Sequence, residues 1–306
     1  MKKEFNETVV LWKADKEPYV KKSTFAAYSL IIENHLLPSF GRHSEITEED
    51  VQDFVIRKIR QGLSNKSVKD ILVVLKMILS YADKHGMMKY PRFDIRYPAE
   101  ADRQEIEVLS KADQKKLMAK LKEQFSFRNM GILICLSAGL RIGEICALTW
   151  DDLDIERGII KVTKTIQRIY LVDGKERHTE LMIDRAKTRN SIREIPMARE
   201  LKSIIRPWKK IVNGSFYILS NSPNPMEPRS YRNYYNRLLD NLGIHRLKFH
   251  GLRHSFATRC IESKCDYKTV SVLLGHSKIS TTLDLYVHPN MDQKRLCVEQ
   301  MFKALK

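Results

Sequence analysis

The sequence predicts a mainly α-helical protein of two domains, with a small antiparallel β-sheet set into the second. Three observations carry that expectation. Over residues 1–90 the apolar residues recur at helical spacing. The stretch PRFDIRYPAEADRQEIE, residues 91–107, has two prolines and many charges and reads as a linker. Beyond it, helical periodicity is interrupted once, between 154 and 196, by runs rich in Ile, Val and Thr. The expected domains are therefore 1–90 and 108–306, and a chain of 306 residues is long enough for each to bury its own core.

The elements follow in order. A short helix is expected around Val9–Trp12. Ser23 is placed to cap a second helix through Phe25, Tyr28, Ile32 and Leu36, stopped by Pro38. Thr47 caps a third, with Val51, Phe54, Val55 and Ile59 on one stripe. Residues 65–85 form a fourth, with Val68, Leu72, Leu75, Ile78, Leu79 and Ala82 inward and Gly86 at its end. In the second domain Ser110 caps a helix with Asp113 at its third position and Leu117 and Leu121 inward. Residues 128–140 make a strongly apolar helix, and a short one, IGEICAL, follows. Strands are expected over 154–171 and 181–196, with Asp173-Gly174 at the turn. Helices return over 199–212, 230–242, 252–263, 267–274 and about 290–305.

Charge narrows the function. Lys and Arg number 54 against 37 Asp and Glu, a net +17, of which residues 101–306 carry +14. A polyanion is the first partner to expect, and nucleic acid leads. No run is long and apolar enough for a membrane span or a secretory signal, so a cytoplasmic protein without a membrane partner is expected. The five cysteines make no CxxC pair and are odd in number, which speaks against a disulfide scaffold and fits buried or idle thiols. No GxxxxGK[ST] loop is present, so an ATPase is not expected. His250, His254, Cys260, Cys265 and His276 lack paired zinc-ligand spacing, and Asp151, Asp152 and Asp154 sit where capping and turn roles are expected. No metal and no cofactor is expected.

Within the basic domain lie groups suited to attacking a phosphodiester. Arg141 (in GLRIGE) and Arg253 (in HGLRH) can fork onto non-bridging oxygens and neutralise a pentacoordinate transition state. Tyr286 (in TTLDLYVH) can be the nucleophile. His250 and His276 can hydrogen-bond the phosphate or help remove the phenolic proton. Lys187 (in AKTRNSIREIP) can protonate the leaving oxygen, its ordinary pKa near ~10 keeping it charged until then. Rivals exist: Tyr231, Tyr234 and Tyr235 as nucleophile, Lys164 and Arg189 as acid. His254 and His288 flank the motifs and read as structural.

Taken in order, AGLRIGEICALTWDDLD, AKTRNSIREIPM, HGLRHSFAT and LLGHSKISTTLDLYVH make the chain resemble the tyrosine recombinases of the phage-integrase family, from about residue 5 to the end. The resemblance implies a catalytic set of Arg141, Lys187, His250, Arg253, His276 and Tyr286, with Glu144 orienting and buffering Arg141. It implies a site-specific recombinase that works without metal or ATP. It would cut double-stranded DNA through a 3′-phosphotyrosyl link and a free 5′-hydroxyl, and exchange strands as a homotetramer through a Holliday junction. The amino-terminal helices would be the core-binding module, the two domains a C-shaped clamp on the duplex. The last helix, with Leu296, Val298, Met301, Phe302 and Leu305, would pack on a neighbouring protomer or on its own domain. The core-binding helices begin almost at Met1, a layout resembling Xer-type resolvases, invertases and shorter integrases. Integration or excision of a mobile element or phage is the expected role, with an accessory DNA-bending or directionality factor as a further partner. A catalytically idle DNA-binding accessory protein and a type IB topoisomerase-like enzyme are the alternatives.

Overall fold

The computed structural model describes residues 3–90, 92–99, 106–173, 176–185, 191–286 and 291–305. Two compact units form: Met1–Gln104 with Arg168–Glu180, and Glu105–Gln167 with Leu181–Lys306.

The first unit is helical: α1 (Phe5–Lys16), α2 (Lys22–Ile31), α3 (Leu37–Phe40), α4 (Glu48–Arg60) and α5 (Asn65–Lys84). Its core joins Phe5, Val9, Trp12, Ile32, Leu36, Phe40, Phe54, Leu75 and Ile78. Thr47 caps α4 as expected, in a reciprocal box with Asp50. Ser23 does not cap α2. The cap position is Lys21, with no side-chain bond, and Ser23 lies within the first turn. Nor does Pro38 stop the helix. Residues 32–36 widen into a π turn, closed by Leu37 N–H on the Ile32 carbonyl, and α3 carries Pro38 in its first turn. The wider turn relieves the clash between a proline ring and the carbonyl four residues back.

Residues 92–99 lie along this unit. Phe93, Ile95 and Tyr97, alternating as an extended chain requires, pack against its core. Gln52 pairs with both backbone groups of Arg96 at 3.0 Å, and Asn65 Nδ2 donates to the Pro98 carbonyl at 2.8 Å.

The second unit starts with α6 (Lys111–Glu123), capped by Ser110, and α7 (Phe127–Ala138), buried over most of its length. Then come α8 (Ile142–Ala147), β1 (Leu153–Asp154), β2 (Ile159–Val162), β3 (Lys164–Asp173), β4 (Glu176–Arg185) and β5 (Arg193–Pro196), with Arg168–Glu180, most of β3 and part of β4, counted in the first unit. The strands form two sheets, where the sequence suggested one. β2 pairs antiparallel with β1 and with β5, Ile160 facing Leu153 on one side and Ile195 on the other. β3 and β4 pair with each other. A turn at Gly158 and a break at Thr163 divide the first Ile/Val run, so the hairpin leaves the three-stranded sheet and returns to it. Gly174, expected at the hairpin turn, is outside the described residues.

Helices α9 (Arg199–Lys209), α10 (Pro228–Asn241), α11 (His250–Glu262) and α12 (Tyr267–Leu274) follow. Next comes α13 (Ser280–Tyr286), a seven-residue helix that sequence reading missed, then α14 (Met291–Ala304). Trp150, Tyr231, Tyr235 and Leu252 close the core around α7. Among the described residues no helix is long and apolar enough to cross a membrane.

Candidate active site

The site gathers where α7 ends, α8 begins and the faces of α11, α12 and α13 meet. Gly139 ends α7 in the left-handed conformation at φ 64°, a position that favours glycine. A Cβ there would stand 2.6 Å from the Phe256 ring. The turn brings the Gly139 carbonyl to Arg253, whose Nη1 donates to it at 2.8 Å. Arg253 Nη2 donates to the Leu274 carbonyl at the end of α12, at 2.6 Å. Arg253 is only 1% exposed. Its Nε has no partner among the described residues. Burial first, then the charge of Arg141, pull its pKa down to about 9.

Arg141 immediately precedes α8. Glu144 accepts from its backbone N–H at 2.9 Å and from its Nη1 at 2.8 Å. The same carboxylate takes both Nη groups of Arg193, on β5, at 3.0 and 2.9 Å. Burial alone would raise the pKa of Glu144. Arg193, then Arg141, reverse that and hold it at about 2.

On α11, residues 250, 253 and 254 share a face at i, i+3, i+4 spacing. The rings of His250 and His254 meet edge to face, centroids 4.6 Å apart. His254 Nδ1 and Tyr286 Oη share a hydrogen bond of 2.6 Å. Tyr286 ends α13 and packs its ring against the small apolar cluster of Ala257, Val270 and Leu274. Burial pushes its phenol up to about 12, against the pull of Arg253 and Arg141. His276 follows Gly275, which is left-handed at φ 67°, and its Nδ1 pairs with Thr282 Oγ1 at 2.9 Å. Burial, Arg253 and Arg141 lower His276 to about 4. His250 is an exposed residue, yet the protein packed around its ring, then His254 and Arg253, lower it to about 4. His254 is lowered by burial and then by Arg253.

Of the residues singled out from sequence, Arg141, Glu144, His250, Arg253, His276 and Tyr286 thus share one electrostatic neighbourhood. Lys187, its rival Arg189, and His288 lie outside the described residues. Lys164, the other rival, is held by Asp152 at 3.3 Å. The other candidate tyrosines serve the core: Tyr231 is fully buried and donates to the Arg128 carbonyl, Tyr235 is buried, and Tyr234 donates to Asn129. Asp152 and Asp154 accept from the backbones of Thr149 and Arg157, the capping and turn roles expected of them. No three His, Cys, Asp or Glu side chains among the described residues gather to hold a metal ion. Sequence reading set one residue here aside as structural, His254, and missed another, Arg193. His254 was signalled by its helical spacing. Arg193 was signalled by strand alternation, since Ile195 points inward and Arg193 must do the same.

Residues 107–293 match the phage integrase family, and residues 4–59 match the phage integrase N-terminal SAM-like domain. The chain belongs to the phage integrase family. It is a site-specific recombinase of the tyrosine class, as its motif order implied. A tyrosine recombinase XerC-like protein of Caldanaerobacter subterraneus subsp. tengcongensis is 29% identical, over 92% of this chain and 78% of that protein. The ICEBs1 integrase of Bacillus subtilis (strain 168) is 25% identical, over 95% of this chain and 81% of that protein. Among solved structures, the Tn1549 transposon integrase in complex with transposon right end DNA aligns over 98% of this integrase-family chain and 99% of its own, at TM-score 0.77 and 23% identity. The lambda integrase tetramer bound to a Holliday junction aligns over 93% and 78%, at TM-score 0.66 and 16% identity. These last two establish the shared fold.

Proposed function

We propose that this recombinase integrates or excises a mobile element, with Tyr286 as nucleophile and Arg141, Lys187, His250, Arg253 and His276 as its catalytic residues. The observation that carries this reading is the phenol of Tyr286, hydrogen-bonded to His254 within the field of two arginines. Tyr286 Oη attacks the scissile phosphorus as the phosphorus–O5′ bond breaks. The phenolic proton passes to His254 Nδ1, and Lys187 protonates the departing 5′-oxygen. Arg141 and Arg253 take the charge that builds on the non-bridging oxygens. With His250 and His276 neutral in the free site, an arriving phosphate offsets the arginine charges and makes both histidines better donors. The phosphotyrosyl ester keeps the bond energy, so a 5′-hydroxyl from a second duplex reverses the chemistry without an external energy source.

The ICEBs1 and Tn1549 integrases, named for mobile elements, support the biological role. The lambda integrase tetramer on a Holliday junction supports assembly of four protomers on DNA, through a junction intermediate. The amino-terminal helical unit contributes to duplex binding, and a DNA-bending or directionality factor sets the direction of recombination.

Covalent trapping tests the chemistry. The protein is mixed with nicked duplexes tiled across the DNA flanking its own gene, denatured, and the DNA-linked peptide mapped by mass spectrometry. The expected adduct is on Tyr286. Y286F abolishes it while duplex binding stays within about threefold, the phenol oxygen being a transition-state group. An adduct on another residue, or one that survives Y286F, removes Tyr286 from the role.

A further inference from the structure

Glu144 is gripped from two sides, and the stronger grip comes from outside the catalytic set. Arg193 is 4% exposed and Glu144 5%. Two parallel N–H groups of Arg193 meet both carboxylate oxygens, the planar fork matching the carboxylate. Arg141 reaches that carboxylate with one side-chain nitrogen, and no described residue accepts from its Nε or Nη2. The third direction of the Arg193 guanidinium is also used. Nε donates at 2.7 Å to the carbonyl of Leu273, beside the Leu274 carbonyl that Arg253 holds. Two residues beyond Leu274 stands His276.

We propose that Arg193 is a positioning residue for strand cleavage: it holds Glu144 in the orientation that aims Arg141, and it fixes the end of α12 from which His276 projects. The inference rests on the reading in which Arg141 and His276 bind the scissile phosphate. One side chain thereby couples β5, α8 and α12. β5 itself follows closely on the segment that carries Lys187. A lysine could satisfy Glu144 or the Leu273 carbonyl but not both, because an ammonium is a point charge on a flexible stem. A neutral side chain would leave a buried carboxylate with Arg141 as its remaining partner. Burial would then raise the Glu144 pKa, and the protonated acid would lose its hold on Arg141.

The competing role for Arg193 is plain neutralisation of a buried charge. Single-turnover cleavage separates the two. The probe is the nicked duplex to which the wild-type protein attaches, at saturating DNA, with melting curves and duplex affinity recorded for R193K, R193Q and the double variant E144Q/R193Q. For R193K the expected result is a folded protein with duplex affinity within about threefold of wild type and cleavage about tenfold or more slower, since small misplacement of a catalytic group costs up to ~100-fold. For R193Q the acid limb of the pH–rate profile moves to higher pH. The double variant, with no buried charge left to neutralise, is expected to melt normally and to cleave as slowly as R193Q. Wild-type cleavage by the double variant, or by R193K with an unchanged pH profile, overturns the inference and leaves the reading of the site intact. Absence of any wild-type adduct on the tiled duplexes overturns that reading, and the inference with it.

Discussion

The two arginines of the site are held in opposite ways. Arg253 is buried and spends two donors on backbone carbonyls, whereas Arg141 is about a third exposed and leans on one carboxylate. Burial first, and then these arginine charges, keep the neighbouring histidines neutral, which has a measurable consequence for pH. The unfolded chain takes up protons on histidine around 6.5, while His250 and His276 in the folded protein wait until about 4. The unfolded state therefore binds more protons in that window, and stability falls as pH drops from 6.5 to 4. Glu144, ordinarily near 4.5 and held at about 2, extends the loss in the same direction at lower pH. Thermal melts across the range are expected to show the decline, and H276N to flatten its upper part. At this scale the motif residues could be read from sequence because each sits in a short local pattern. The hydrogen bond between His254 and Tyr286 spans 32 positions and depends on where α13 lands, which no local pattern encodes.

Elements divide in the same manner. Thr47 and Ser110 were readable as caps because an acidic partner three residues on completes the signal within one turn. Ser23 had no such partner, and the chain starts α2 two residues sooner than that cap requires. The continuation through Pro38 needed a π turn, a device whose cost is met by burying Ile32 and Leu36 in the core. α13 escaped notice because Ser and Thr are indifferent helix formers, and its place depends on contacts from α11 and α12. The turn after α7 is the element on which the site depends most. G139A forces a Cβ into the left-handed region, costing about 1–2 kcal/mol for the backbone alone. It also drives that Cβ into Phe256 and Leu274. Denaturant unfolding is expected to report at least that loss, and the displaced Gly139 carbonyl is expected to slow cleavage as well.

For the whole molecule, composition gave a strongly basic chain and apolar periodicity foretold a mainly helical one, which the fold bears out. What composition could not foretell was the splitting of the strands into two sheets, because pairing partners are chosen by tertiary packing. The last helix raises a matter of assembly. Val298, Met301 and Phe302 share a face at i, i+3, i+4 spacing, Leu305 follows just past the helix end, and all four are exposed, Phe302 at 60%. In the four-protomer assembly proposed above, a neighbouring protomer covers such a face. The variant M301D/F302D is expected to melt like wild type and to cleave a nicked duplex as a single protomer. On a full site its assembly, followed by light scattering, is expected to fall by about tenfold or more.

The burial of Arg253 also bears on how relatives of this chain should be judged. Its guanidinium ties the end of α7 to the end of α12, so a descendant that gave up DNA cleavage would still need it to stay folded. Among the described residues the hydroxyl of Tyr286 ties only His254, and its loss would leave the scaffold standing. A degenerate copy would therefore shed the tyrosine oxygen long before the arginine. When such copies are sorted into working and silent ones, the arginine is a poor witness and the tyrosine a good one.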